Sequence, residues 1–445
     1  MASPRNRLMV SPRKWGVVAG ALLGISARVA LAQEPAQDPN SPAPEPTEDA
    51  GIAEEDAGNP NSELAPNAAL DPAVPTHSLN TTINFNVGGY TDNRGTSVLT
   101  PSLGAVIENP TAGWSVNGTY LVDMVSAASP DVVATASPNW KELRNAGNLG
   151  GKYKPGSYGI AGGATVSYTR DYLALGFNAQ LIQDLAEKNF TLTEGYTFGH
   201  DVIGRTGTPF SVFARQFDYH AMNASLSTVV NPSLVVALIA DLVIERGDQS
   251  KPYRYIPIFT GGAAAQVDRG ASADRVAQLR IQARPLEQLP LDRERGALTG
   301  RASWRMTARS TLRLEERLYH DTWNLRSTTT DVRWLFDVSD RLMIWPHGRF
   351  HLQNGVDFWQ RAYSARSVND LPALRTGDRE LSPLSNITFG GGMRLALGRR
   401  TLLGKTVDDV FLNASADATH TYFNDAMYVR DRWSVLLNSG IEVGF

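Results

Sequence analysis

The 445-residue chain contains no cysteine. No disulfide can staple it and no N-terminal thioether can anchor it to lipid, which suits a chain that crosses an oxidising compartment unfolded. Long apolar runs are absent too. The one clear run, Trp15 to Ile25, is nearer half of the roughly 20 residues that a spanning helix needs. Any residence in a membrane must therefore be as a closed sheet. Charge of one sign is not in excess: 42 Lys and Arg face 45 Asp and Glu, for a net charge of −3. Nothing here points to nucleic acid. The familiar hydrolase signatures are missing as well, with no Gly-x-Ser-x-Gly, no His-Glu-x-x-His and only seven scattered histidines.

What is present falls into three stretches. Residues 1–32 read as a secretory signal, with Arg5, Arg7, Arg13 and Lys14 ahead of the apolar run and Ala30-Leu31-Ala32 as the cleavage site. Residues 33–77 carry ten acids, nine prolines and no Lys or Arg. Such a segment buries too little apolar surface to offset its ordering entropy, so it is expected to be a disordered periplasmic tether. Residues 78–445 hold 37 basic against 35 acidic residues and form the folded part.

This folded part repeats segments of ten to fourteen residues in which apolar and polar side chains alternate, as strands between two different surroundings require. Trp433, Val435, Leu437, Ser439, Ile441, Val443 and Phe445 share one face of the last. Ending on such a strand and on an aromatic resembles bacterial outer-membrane barrels, whose assembly machinery reads that segment. Turns are expected at 108–111, 231–233, 307–310 and 339–341. If the turn at Pro232 is periplasmic, then 200–216, 247–295, 354–383 and 424–431 all lie outside, because short turns and long loops segregate to opposite sides. The segment 125–142 joins them only if a weakly patterned strand spans Leu143 to Tyr153. The expected architecture is thus all-β: a transmembrane antiparallel barrel of about sixteen strands, fourteen without that strand, with both termini periplasmic in the outer membrane of a Gram-negative cell. Glu194 and Glu316 fall on the outward face and count against this register. A soluble sandwich also alternates, but its strands average five or six residues.

Four patches resemble a family of uncharacterised Gram-negative outer-membrane barrels: Asp123 to Val133 (with Ser-Ala-Ala-Ser-Pro-Asp-Val-Val at its end), Ser250 to Arg254, Arg317 to Trp323 followed by Thr328, and Asp357-Phe358-Trp359. The resemblance covers 78–445, leaves out the acidic tether, and implies fold and compartment without any activity.

Alternation also assigns an inward face. Arg301, Arg305, Arg313, Glu315, Arg317, Asp331, Arg333, His347, Arg349, His351 and Arg394 are the candidate pore-lining residues, seven arginines on one wall. Asp123, Asp241, Glu245, Asp417 and Glu442 are expected to give the opposite wall an acidic bias, setting a transverse field that favours polar or ionic solutes. The bland alternative is a ladder of ion pairs filling a closed lumen. His347 and His351 lie about 13 Å apart along a strand and cannot chelate one metal between them. His200-Asp201 sits at the right height for surface chemistry. The favoured reading is a pore for passive passage of small polar or anionic solutes. An interaction barrel with a closed lumen comes second and a surface hydrolase third. No catalytic residue, metal or cofactor is assigned. Expected partners are membrane lipid and lipopolysaccharide and the barrel-assembly machinery through the strand ending at Phe445; the barrel is read as a monomer or a homotrimer.

Overall fold

The computed structural model describes residues 79–127, 140–205, 207–250, 252, 254–367, 370–402, 405–407 and 409–445. The expected signal, the acidic tether and residues 128–133 of the first resemblance patch lie outside these. Sixteen antiparallel strands close into one barrel. They are β1 (Asn80–Asp92), β2 (Thr96–Asn109), β3 (Trp114–Ala127), β4 (Trp140–Tyr153), β5 (Tyr158–Tyr168), β6 (Tyr172–Leu185), β7 (Phe190–Ile203) and β8 (Arg215–Asn231). The second half comprises β9 (Leu234–Gly247), β10 (Asp292–Thr307), β11 (Ser310–Asp321), β12 (Arg326–Asp337), β13 (Leu342–Gln353), β14 (Leu384–Ala396), β15 (Asp409–Phe423) and β16 (Asp431–Gly444). Each strand pairs with its neighbours in sequence, and β1 pairs with β16 to close the ring, placing Ile83 beside Val443 and Phe85 beside Ile441.

The weakly patterned strand is real and begins at Trp140, so the fourteen-strand alternative fails. Its apolar face is diluted by Gly147 and Gly151, which hid the alternation. The first turn falls at 110–113 rather than 108–111. It closes where Gly113, at φ 71°, enters the left-handed region that favours glycine. One connection was not foreseen: 397–408 carries a small hairpin, Arg400–Leu402 paired with Lys405–Val407.

The alternation sorts side chains as expected. Leu149, Tyr158, Phe177 and Phe389 are 58–68% exposed although they sit in the middle or at the rim of strands. A belt of such residues around the whole cylinder is far larger than any apolar patch that a protein in water tolerates. Its solvent is lipid.

Connections after the odd-numbered strands collect at one end of the barrel and include 204–214, 248–291, 354–383 and 424–430, whereas the hairpin connection 397–408 lies at the other end. Those after the even-numbered strands, together with both strand termini, collect at the other. At the long-loop end, 248–291, 354–383 and 424–430 fold on one another into a cap over the β8–β16 half. Ile258–Phe259 runs parallel to Tyr363–Ser364, and a short helix, Ala273–Leu279, is capped by Ser272. Ile256, Ile258, Tyr363 and Ala365 form one buried cluster. Leu289, Trp323, Leu325, Val356 and Leu381 form another, against Phe358 and Trp359. Each isoleucine, leucine or valine among them contributes ~1.5–3 kcal/mol on burial.

Three of the four resemblance patches meet in this cap. Trp323 and Phe358 stack edge to face at 5.5 Å, Trp359 donates to the Asp425 carbonyl at 2.9 Å, and Ser250 Oγ accepts the Leu289 amide at 2.9 Å.

Tyr363 ties the cap together. Its hydroxyl donates to the Phe358 carbonyl at 2.7 Å and accepts the Thr376 amide at 3.0 Å. Burial pushes its pKa up from 10.0 to about 12. A raised phenol pKa means that the stabilisation is complete below pH 10 and is lost as pH climbs toward 12. We expect Tyr363→Phe to strip both hydrogen bonds at a cost of about 1–3 kcal/mol. In that variant limited proteolysis of the cap should become fast at neutral pH, and its steep rise above pH 10 should disappear.

Candidate functional site: the lumen wall

The inward faces of β10–β13 form three rungs of charged and hydrogen-bonding side chains. In the middle rung Arg301, Glu315, Asp331 and Arg349 lie directly opposite one another on successive strands. Toward the short-turn end the next rung is Ser303, Arg313, Arg333 and His347; toward the cap it is Thr299, Arg317, Thr329 and His351. Two arginines directly opposite, Arg313 and Arg333, repel, and the carboxylates one rung away offset this on the diagonal.

Pairing is extensive. Arg301 donates to Glu315 at 2.6 Å, and Arg333 to Asp331 at 3.3 Å. Arg317 reaches across β10 to Asp241 at 2.8 Å, with a second bond to Thr299 at 3.2 Å. Arg394 meets Glu442 at 3.1 Å and lies over the Phe411 ring. His347 sits between Asp331 at 2.6 Å and Asp417 at 3.1 Å. His351 bonds Thr329 at 2.8 Å and Gln353 at 3.2 Å. Arg349 stands between Asp331 and Thr388. Arg305, at the short-turn rim, donates to the Ala308 carbonyl at 2.8 Å. The structure therefore brings ten of the eleven sequence-chosen residues into one wall and leaves Arg305 at its edge.

The acidic wall expected opposite does not exist. Asp241, Asp417 and Glu442 belong to the same wall as the arginines, where they pair with Arg317, His347 and Arg394. Glu245 pairs with Arg295 at 3.1 Å, and Asp123 with Arg144 at 2.6 Å. Sequence placed these residues inward correctly, but it missed Arg144 and Arg295 and so could not see that every one of these acids has a local partner.

The wall of β1–β8 carries amides beside charged groups such as the paired Asp123 and Arg144. Asn84, Asn86, Asn117, Asn178 and Asn223 each face a glycine directly across the strand pair: Gly104, Gly440, Gly150, Gly163 and Gly195. A Cβ on Gly104, Gly440, Gly150 or Gly195 would press on the asparagine amide, and one on Gly163 on the Leu149 carbonyl. The glycines let the amides lie flat along the wall rather than project into the lumen. Gly390 does the same for a charge. It separates His347 from Asp417 on the flanking strands, and a methyl there would overlap the Asp417 carboxylate and the Ala416 carbonyl.

At the mouth, Asp321 is 2% exposed and its carboxylate collects donors. Arg293 donates at 2.8 Å, the Tyr319 hydroxyl at 2.8 Å, and the amides of Trp323 and Leu325 at 3.0 and 2.9 Å. This network anchors the cap to the barrel. His200 and Asp201 do not act together. His200 bonds Asp218 at 2.6 Å on the outer face, whereas Asp201 turns inward and accepts the Tyr172 hydroxyl at 2.5 Å. Among the described residues no three His, Asp or Glu side chains gather as a metal-binding group.

The wall's dependence on its glycines is testable. Gly390→Ala should push Asp417 off His347 and lower the urea midpoint of the refolded barrel by an amount worth about 1–3 kcal/mol. Gly89→Ala is the control, because a Cβ there meets nothing within 4 Å; it should leave the midpoint unchanged.

Among solved structures, the chain is similar in outline to the siderophore receptor PirA from Acinetobacter baumannii (8% identity, TM-score 0.38), covering 78% of itself and 53% of the receptor. It is similar to CdiB from the same organism (9% identity, TM-score 0.44), covering 82% and 60%. With the outer membrane protein opdK from Pseudomonas aeruginosa (8% identity, TM-score 0.39) the shares are 83% and 99%. The chain thus spans about half the length of the siderophore receptor. No curated protein matches it. A family match runs over residues 24–408. It takes in the acidic segment that the resemblance was expected to leave out, and it stops before β15. With most of its length matched, this transmembrane barrel belongs to the family described as "Protein of unknown function (DUF3570)".

Proposed function

We propose that the barrel is a passive conduit for small polar solutes across the outer membrane, with the cap outside and both strand termini on the periplasmic side. The observation that carries this reading is the wall of β9–β11. Its ion pairs keep access to water in mid-lumen: Arg317 and Asp241 are 33% and 28% exposed, Arg301 and Glu315 20% and 28%. A packed salt-bridge core would exclude water from such groups, and a sixteen-strand cylinder has room for an aqueous path. The cap's hydrogen bonds to the wall support it too, since they fall at strand ends, as where Gln353 donates to the carbonyls of Glu380 and Ser382.

Six arginines on the wall, with Arg305 at its edge, against five carboxylates (Glu315, Asp331, Asp241, Asp417 and Glu442) leave it mildly positive. The preference for anions is therefore modest, and neutral polar solutes pass as well. Assembly proceeds through β16, whose terminal Phe445 exchanges backbone hydrogen bonds with Thr81 at the seam. Outer-leaflet lipopolysaccharide surrounds the capped end.

A second reading rests on the cap itself: three loops packed into one body offer a surface for an external partner, with the lumen serving only as scaffold. Planar-bilayer recording separates the two. The refolded barrel should carry a steady ion current with mild anion preference, and silence at every voltage would overturn the conduit. Arg317→Glu and Arg349→Glu should each shift the reversal potential toward cation preference. An unshifted potential alongside normal current would show that solutes do not pass this wall.

A further inference from the structure

The charges of the charged wall have partners, but a group of amides and hydroxyls beside it has none. Arg301, Arg317 and Arg394 are each held by a carboxylate. No hydrogen bond joins the side chains of Asn86, Asn413, Asn438, Ser102 or Ser415 to any other described residue. These five come together where the ring closes. Ser415, Asn438, Gly88 and Thr100 form one rung across β15, β16, β1 and β2, and Asn413, Gly440, Asn86 and Ser102 form the next. Neither rung holds a charge.

Asn86 and Asn438 point inward from mid-strand and are exposed all the same, so the lumen is open in front of them. They cross the seam in opposite directions. A Cβ on Gly88 would come within 3.1 Å of Asn438 Oδ1, and one on Gly440 within 2.0 Å of Asn86 Oδ1. One rung toward the cap, Tyr90, Val98 and Val125 form a buried apolar cluster with Leu436 packed against it. At the other margin Arg394, opposite Asn413, is held by Glu442 and lies over the Phe411 ring, and Asp417 is held by His347. An ion arriving here would give up water without meeting an unpaired opposite charge.

A hydroxyl-rich solute fits these groups better. A carboxamide presents a donor and an acceptor side by side, the complement of two neighbouring hydroxyls that each donate and accept. Rungs about 7 Å apart and four strands about 14 Å across give the patch roughly the dimensions of one or two sugar rings.

We propose that the amides of Asn86, Asn413 and Asn438 at the closing seam form a binding site for neutral sugars of one or two rings, and that this site selects them over their acid derivatives. The site rests on the conduit reading and names the solute class that the lumen holds longest. The arginine wall still favours small anions over small cations; the seam tells a sugar from its acid.

Block of the ion current in planar bilayers tests this, with glucose as the probe and glucuronate, the same ring carrying a carboxylate, as the comparator. Glucose should block the wild-type current saturably, at a half-blocking concentration at least fivefold below that of glucuronate. In Asn86→Ala/Asn438→Ala, read against its own sugar-free current, the glucose value should rise at least fivefold and the gap to glucuronate should close. Asn86→Ser, which keeps a hydroxyl, should fall between the two. The comparison of the two probes needs no variant and stands on the wild type alone. A wild type without current overturns the conduit and the site with it. A steady current that glucose leaves unblocked, that both probes block equally, or whose block is unchanged in the double variant overturns the site and leaves the conduit standing.

Discussion

Backbone amides and carbonyls in hydrocarbon have no water to fall back on, and the rest of this structure depends on that constraint. A sheet can meet it only by closing. The pairing of β1 with β16 is therefore obligatory: without the ladder from Thr82–Gly444 to Asp92–Ser434, two edges of unpaired groups would face lipid. Closure then makes every strand two-sided. One face must be apolar along its length, and the other may carry whatever the lumen tolerates.

The lumen uses that freedom in two ways. Across β1–β8 amides beside glycines share the surface with paired charges such as Asp123 and Arg144. Across β9–β16 it is a lattice of arginine, histidine and carboxylate in which charges are offset by a neighbour on the next strand or the next rung. Such a lattice stiffens the wall, because a charge left alone there would cost several kcal/mol. It also limits the field that a solute experiences, since an arginine bonded to Asp241 or Glu315 offers only part of its charge to the lumen. Wall stability and solute preference are thus coupled through the same side chains.

Three of the four resemblance patches fall mainly in the cap and at the barrel mouth. Trp323, Phe358, Trp359 and Ser250 hold the cap together, Tyr319 and Asp321 fasten it to the barrel mouth, and Thr328 donates to the outward Glu316. Arg317 alone among the named contacts looks into the accessible lumen. Short motifs spaced far apart along the chain were meeting points of loops, which is why they carried no recognisable catalytic spacing.

The alternation of polarity, with turn residues between, was enough to read the barrel, its two faces, the end at which the long loops gather and ten of the eleven wall residues, because a strand's period of two is local and needs no knowledge of its neighbours. The fourth strand was faint because Asn145, Gly147 and Gly151 interrupt its outward face. Which acid meets which arginine was not legible. Asp241 is 76 residues from Arg317, and Asp417 is 70 from His347. Only the register between strands, set when the ring closes, decides that these charges share a wall instead of facing each other across the lumen. The same holds for the asparagine–glycine pairs and for the cap, whose loops are ordinary in sequence and find their cores only in one another. Local periodicity determined the shape; the closure of the ring, a long-range event, determined the electrostatics.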